Sequence, residues 1–216
     1  MELLTTRSRE FADLRTLADV SAQRGTERFR VRSVVLARAP ASVRFEALSP
    51  LGSPLLVATV HEGQISAYDA VNDEVSTGPA TAETAAKLLG LPFEPEDLVG
   101  ILAGRPVPPR DIREANVLPP DADGPSIDLI GAVTILRVWM DDAGLVKKAQ
   151  VSGGRGDALI TFHRSANGTI MGFEVTAGLG LIRSTVRYES PVVNAGVETD
   201  RFVFSPPKSA KTRPIR

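Results

Sequence analysis

The sequence predicts a mainly β fold of the α+β class, a single antiparallel sheet curled over a core with short helices covering it. Three observations carry this. Apolar and polar residues alternate with period 2 in about ten runs at hairpin spacing. Apart from the start of the chain, helical spacing is confined to one interval, "ATAETAAKLLGLPFEPEDLVGILAG". Nothing alternates strands with long helices, as a parallel α/β sheet would.

In chain order, Leu3, Leu4, Arg7, Phe11, Leu14 and Leu17 recur mostly three and four residues apart, which predicts an amphipathic helix from Glu2 to about Leu17. In "ERFRVRSVVLAR", Phe29, Val31, Ser33 and Val35 alternate with Arg28, Arg30 and Arg32, and in "ASVRFEALS" Val43, Phe45 and Ala47 alternate with Arg44 and Glu46. Both are strands with one wet face. "PLLVATVHEG" and "QISAYDA" form a hairpin, with Gly63 free to take the positive φ of its turn. The helical interval then reads as two short helices. Thr81 caps the first, which ends near Leu89 before Gly90, and the second runs from Glu96 to Ala103 and stops at Gly104. A proline-rich link from Pro106 to Pro125 follows. Further strands are expected in "AVTILRVWMDD", "LVKKAQVS", "ALITFHRS", "TIMGFEVTAG", "LIRSTVRYES" and "DRFVFSPP", separated by turns at Asp142-Ala143-Gly144, Ala166-Asn167-Gly168 and Ala177-Gly178. The expected organisation is one domain over residues 1–207 and a frayed basic tail, 208–216.

Composition narrows the function classes. With 25 Lys+Arg against 26 Asp+Glu, a net charge of -1 provides no general attraction for nucleic acid. The absence of cysteine excludes disulfides, thiolate metal sites and a cysteine nucleophile. No run approaches the roughly 18–20 apolar residues of a spanning helix.

No catalytic constellation stands out, and no cofactor is expected. His61 and His163 lie far apart at strand ends without metal-ligand spacing, and read as solvated hairpin residues. "SGGRGDA" lacks the lysine-serine pair and following helix of a phosphate loop. Glu94, Glu96 and Asp97 suit the first turn of a helix, and Asp141 and Asp142 suit a turn. What remains conspicuous is the apolar content of the two short helices, Leu88, Leu89, Leu91, Phe93, Leu98, Ile101 and Leu102. These residues form either the second layer of a core or a lid over an apolar ligand cavity.

Three segments resemble the LolA/LolB family of periplasmic lipoprotein carriers and receptors, with LolB the nearer pattern. They are "LSPLGSPLLVATVHEGQISAYDA", "AAKLLGLPFEPEDLVGILAGRPVP" and the closing "DRFVFSPP". The resemblance implies an unclosed barrel of about eleven strands with a helical lid over a cavity for acyl chains. It also implies a non-enzymatic role in lipoprotein or lipid transfer to the outer membrane, on the periplasmic side. The implied partners are lipoprotein acyl chains or other lipid, a membrane surface and a LolA-like carrier. The resemblance to LolB also implies a lipid anchor in the full-length protein, on an N-terminal cysteine that this sequence does not contain.

Strand parity and the resemblance together predict a cavity lined by Phe29, Val31, Val43 and Phe45, under a lid carrying Leu88, Leu89, Leu91, Leu98, Ile101 and Leu102. The resemblance further implies that Leu51, in the "SPLG" loop, contacts a membrane, and that Arg38 hydrogen-bonds the lid. An alternative is a cell-envelope scaffold of the same fold that docks a protein through Leu51.

Overall fold

The structure, a computed structural model, describes residues 10–89, 93–153 and 157–215, without the side chains of Leu89 and Leu179. Two meanders make up one 14-stranded sheet. The first comprises β1 (Asp13–Arg24), β2 (Glu27–Arg38), β3 (Ser42–Leu48), β4 (Pro54–His61), β5 (Gln64–Asp69) and β6 (Glu74–Pro79). Helices α1 (Ala82–Leu89) and α2 (Pro95–Leu102) follow. The second meander comprises β7 (Glu114–Asp121), β8 (Gly124–Ile130), β9 (Thr134–Met140), β10 (Val146–Gly153), β11 (Ala158–Arg164), β12 (Ile170–Ala177) and β13 (Ile182–Val193). β1 joins the halves by pairing antiparallel with both β2 and β13, and β14 (Lys211–Pro214) adds a parallel edge strand to β6.

The expected curled antiparallel sheet with a pair of short helices is present. Its inner face follows from parity: Leu14, Ala18 and Val20 of β1 are buried beside Val35 and Ala37 of β2, Val43 of β3 and Val186 of β13. Burying an aliphatic side chain of this size contributes about 1.5–3 kcal/mol. The alternating arginines of β2 lie on the opposite, outer face.

Four sequence expectations are corrected. Residues 13–17 of the expected N-terminal helix belong to β1, and residues 2–9 lie outside the described residues. Leu14 and Leu17 mimic helical spacing, but Leu14, Thr16, Ala18 and Val20 carry the period-2 pattern that pairing on both edges selects. The proline-rich link contains β7 and the first two residues of β8. Pro119 and Pro120 fall where the β7–β8 register shifts, on a sheet edge, where a missing N–H is tolerated. "DRFVFSPP" is a 3-10 turn, Thr199–Phe202, followed by extended chain across the outer face. The tail ends in β14 rather than fraying, with Arg213 paired to Glu74 at 3.1 Å.

Candidate lipid-binding face and its helical lid

Helix α2 begins and ends where its sequence dictates. Pro95 occupies the first turn, where no N–H is missed, and Glu94 is its extended N-cap. At the other end the N–H groups of Gly104 and Arg105 donate to the carbonyls of Ile101 and Gly100, at 3.0 and 2.7 Å. Gly104 adopts φ +66, the left-handed residue that this Schellman ending requires. Gly100 permits the chain to fold back closely, since a Cβ there would lie 2.7 Å from the Arg105 carbonyl oxygen. Helix α1 has its own cap, with Thr81 Oγ1 accepting from the Thr84 N–H at 3.2 Å.

The apolar side of α2 lies against β2, β3 and β12 on the inner face of the sheet. Leu98, Val99 and Ile101 are buried there with Phe93, while Leu88 and Leu102 pack half-buried against the same cluster. Two side chains from the second meander fasten the end of α2. Tyr188 Oη donates to the Leu102 carbonyl at 2.9 Å, and Arg164 Nη2 donates to the Gly104 carbonyl at 2.5 Å. A cation at a helix C-terminus also meets the negative end of the helix dipole. Burial pushes the Tyr188 phenol far above its usual range and draws the Arg164 guanidinium below its own. At the opposite end of α2, burial raises the Asp97 carboxyl to about 6; Glu94 and Glu96 add to the rise, while a hydrogen bond from the Glu94 N–H and the charge of Arg110 oppose it.

The sheet places Val43 in the buried cluster, with Val31 and Phe45 half-buried against it. Leu91 lies outside the described residues, as does the Leu89 side chain. Two expected positions need correction. Phe29 has the inward parity of Val31, but it is 59% exposed because the β1–β2 hairpin overhangs β3, whose last pair with β2 is Arg32–Leu48. Arg38 reaches away from the lid, to the Thr199 hydroxyl and, at 3.4 Å, the Val197 carbonyl. The position after Ala37 faces outward, toward the C-terminal segment. The residues that latch α2, Tyr188 and Arg164, escaped the sequence reading. Their signal was parity: each follows an inward residue, Val186 or Phe162, by two positions.

Leu51 stands 96% exposed at the tip of the β3–β4 turn, whose closure is local: the Ser53 N–H donates to Ser49 Oγ at 3.1 Å and the Gly52 N–H to the Ser49 carbonyl at 2.9 Å. His61 is not solvated as expected. It lies 2.9 Å from Ser42 Oγ, and its ring stacks on Phe202 at 6.0 Å. Glu62 lies 3.7 Å away on the exposed side, and the Phe202 stack makes the ring a clasp for the C-terminal segment. His163 shares a surface contact with Glu174 at 3.2 Å. No cluster of metal-ligating side chains occurs among the described residues. Asp141 organises its turn by accepting from the Ala143 and Leu145 N–H groups, and "SGGRGDA" falls partly outside the described residues.

No family model matches the sequence, and no curated protein matches it. Solved structures do match the fold. A LolA superfamily protein from Nitrosomonas europaea superposes with a TM-score of 0.63 at 10% identity, covering 94% of this chain and 96% of that one. A DUF1329 family protein from Desulfovibrio piger gives 0.66 at 11% identity, covering 94% and 95%. A domain assigned to outer membrane lipoprotein sorting, from Vibrio parahaemolyticus, gives 0.62 at 12% identity, covering 93% and 94%. The chain therefore has the LolA-like fold that its sequence motifs suggested.

Proposed function

We propose that this protein binds acyl chains between the inner face of its sheet and the α1–α2 lid, and exchanges them with a membrane of the cell envelope, on the periplasmic side. The observation that carries this reading is that the apolar inner face outruns its lid. It continues from buried Val43 through half-buried Phe45 and Val31 to exposed Phe29. Each methylene moved from water onto such a surface contributes about 0.8 kcal/mol, so acyl chains bind without a charged contact. Transfer is then driven by differences in affinity among carrier, receptor and bilayer.

In this reading Val31, Val43, Phe45, Leu88, Leu98, Ile101 and Leu102 contact the ligand, with α2 shifting to admit it. Leu51 meets the bilayer, and a LolA-like carrier is the partner that supplies the cargo. The LolA-superfamily and lipoprotein-sorting structures above support the reading through their fold. A scaffold role, with the lid permanently seated and Leu51 docking a protein, is favoured by one observation: Leu98, Val99 and Ile101 of α2 are already buried in the apolar cluster of the sheet.

Native mass spectrometry after incubation with phospholipid separates the two. Acyl binding predicts a lipid adduct that is lost when Val31→Trp fills the open end of the face, with Leu51→Glu leaving the adduct intact but slowing transfer to liposomes. A folded protein that never carries an adduct would support the scaffold.

A further inference from the structure

Among the described residues, the exposed large apolar residues of the turns between strands all stand at one end of the sheet. Strand directions bring the β1–β2, β3–β4, β5–β6, β8–β9 and β12–β13 turns to that end, and the exposed residues there are Leu51, Val71, Val133 and Leu181. The turns at the opposite end, at residues 39–41, 62–63, 122–123, 141–145 and 165–169, carry none among the described residues. Phe29 belongs to the same rim. Arg32 pairs with Leu48, so Phe29, three residues beyond Arg32, and Leu51, three residues beyond Leu48, project about equally far. The Gly25 N–H donates to the Leu181 carbonyl at 3.0 Å, which ties the overhanging β1–β2 hairpin to the β12–β13 turn.

Charge is distributed unevenly over the same rim: Asp69 and Asp73 flank Val71 at the β5–β6 turn, whereas the β1–β2 hairpin and the start of β13 are basic. Residues 21–31 and 181–185 contain Arg24, Arg28, Arg30 and Arg183 against Glu27 alone, four positive charges to one negative, in a chain whose net charge is -1. Arg28 and Arg183 both lie opposite Gln23, one on each side of β1, and Arg30 lies opposite Ser21. With Thr185 they border an open depression of about 570 Å³ on the outer side of the hairpin. Arg30 meets Asp19 at 3.5 Å across exposed surface, a contact too weak to neutralise it. No partner occupies Arg28 or Arg183 among the described residues.

We infer that the part of this end formed by the β1–β2, β3–β4 and β12–β13 turns is a docking edge for an anionic lipid bilayer, with Phe29, Leu51 and Leu181 entering the interface and Arg28, Arg30 and Arg183 holding headgroup phosphates. Apolar tips backed by arginines are the arrangement that an anionic interface selects, because the alkyl stems bury while the guanidinium groups stay at headgroup level. The inference rests on the reading of the protein as one that meets a membrane, and adds the lipid charge it meets and a contact beyond Leu51.

Flotation tests it with vesicles of phosphatidylcholine alone and of phosphatidylcholine containing one part in three phosphatidylglycerol. The wild-type protein floats with the anionic vesicles and is released by high salt. Arg28→Gln with Arg183→Gln weakens that binding by about fivefold for each arginine, and Lys87→Gln, on α1, leaves it unchanged. Leu181→Asp weakens it further, with melting temperatures confirming that each variant is folded. Equal binding to both vesicles, or indifference to the double arginine substitution, overturns the inference. Uptake of a fluorescent fatty acid in solution without vesicle binding would also overturn it while leaving the acyl-binding reading intact. Arginine-dependent vesicle binding without fatty-acid uptake would support the docking edge and sink that reading.

Discussion

The hydroxyl of Tyr188 donates a 2.9 Å hydrogen bond to the carbonyl of Leu102, joining β13 to the last turn of α2. Tyr188 is 5% exposed, and its ring meets Phe173 edge-on at 6.2 Å. This bond crosses the apolar seam between lid and sheet, so it bears on how readily α2 lifts. It acts together with Arg164, which grips the Gly104 carbonyl two residues further on.

Tyr188→Phe removes the donor and leaves the Leu102 carbonyl without this partner in a part-buried site. The expected cost is about 1–2 kcal/mol in chemical denaturation. Hydrogen exchange should quicken in α2 by more than in β1 or β13, because the lost bond belongs to the lid. An equal increase throughout the sheet would show that the bond supports the fold as a whole.

Asp97 makes lid stability depend on pH. Its carboxyl titrates at about 6 in the folded protein, above the ordinary value of 3.8. Between these values the folded state holds a proton that the unfolded chain releases, so stability falls as pH rises from about 4 to 6 and stays lower above that range. Asp97→Asn retains an oxygen to accept from the Glu94 N–H and removes the charge. It should stabilise the protein by about 1–3 kcal/mol at pH 7.5 and by little at pH 3.5, measured by urea denaturation at both pH values. Equal effects at the two pH values would contradict the assignment.

Phe202, 1% exposed, pins the C-terminal segment to the outer face against His61, while Phe204 contacts Tyr68 at 5.5 Å and the Arg44 guanidinium at 5.8 Å. Phe202→Ala should cost about 3–5 kcal/mol and release the β14 edge. Limited proteolysis after residue 204 reads the release directly, and a variant as resistant as the wild type would show that β14 is held by its own pairing with β6.

The legible parts of this fold are those whose pattern is local. β2, β3 and the β4–β5 hairpin announce themselves through alternating arginines and Gly63, and the two helices through Thr81 and Gly104. β1 was hidden because it lies at the centre of the sheet, where a half-buried Leu17 on the outer side imitates a helical stripe. β7 was hidden by its prolines, which only an edge strand accommodates, and β14 by the short, polar sequence of a strand that depends on β6. The site divides along the same line. Inward parity placed Val31, Val43 and Phe45 on the apolar face, and Leu88, Leu98 and Leu102 of the short helices pack against the same cluster. The latches at Tyr188 and Arg164 join residues 86 and 60 positions apart, which no local pattern encodes. The overhang that exposes Phe29 likewise depends on where β3 stops pairing with β2.

The central claim is that apolar ligand enters between α2 and the inner face of the sheet. Titration with a naturally fluorescent polyunsaturated fatty acid tests it most directly, since the probe brightens only when its chain leaves water. The account predicts a saturable rise in emission that Val31→Trp suppresses and Tyr188→Phe accelerates, in protein that circular dichroism shows to be folded. Unchanged emission on titrating the folded wild-type protein would contradict it.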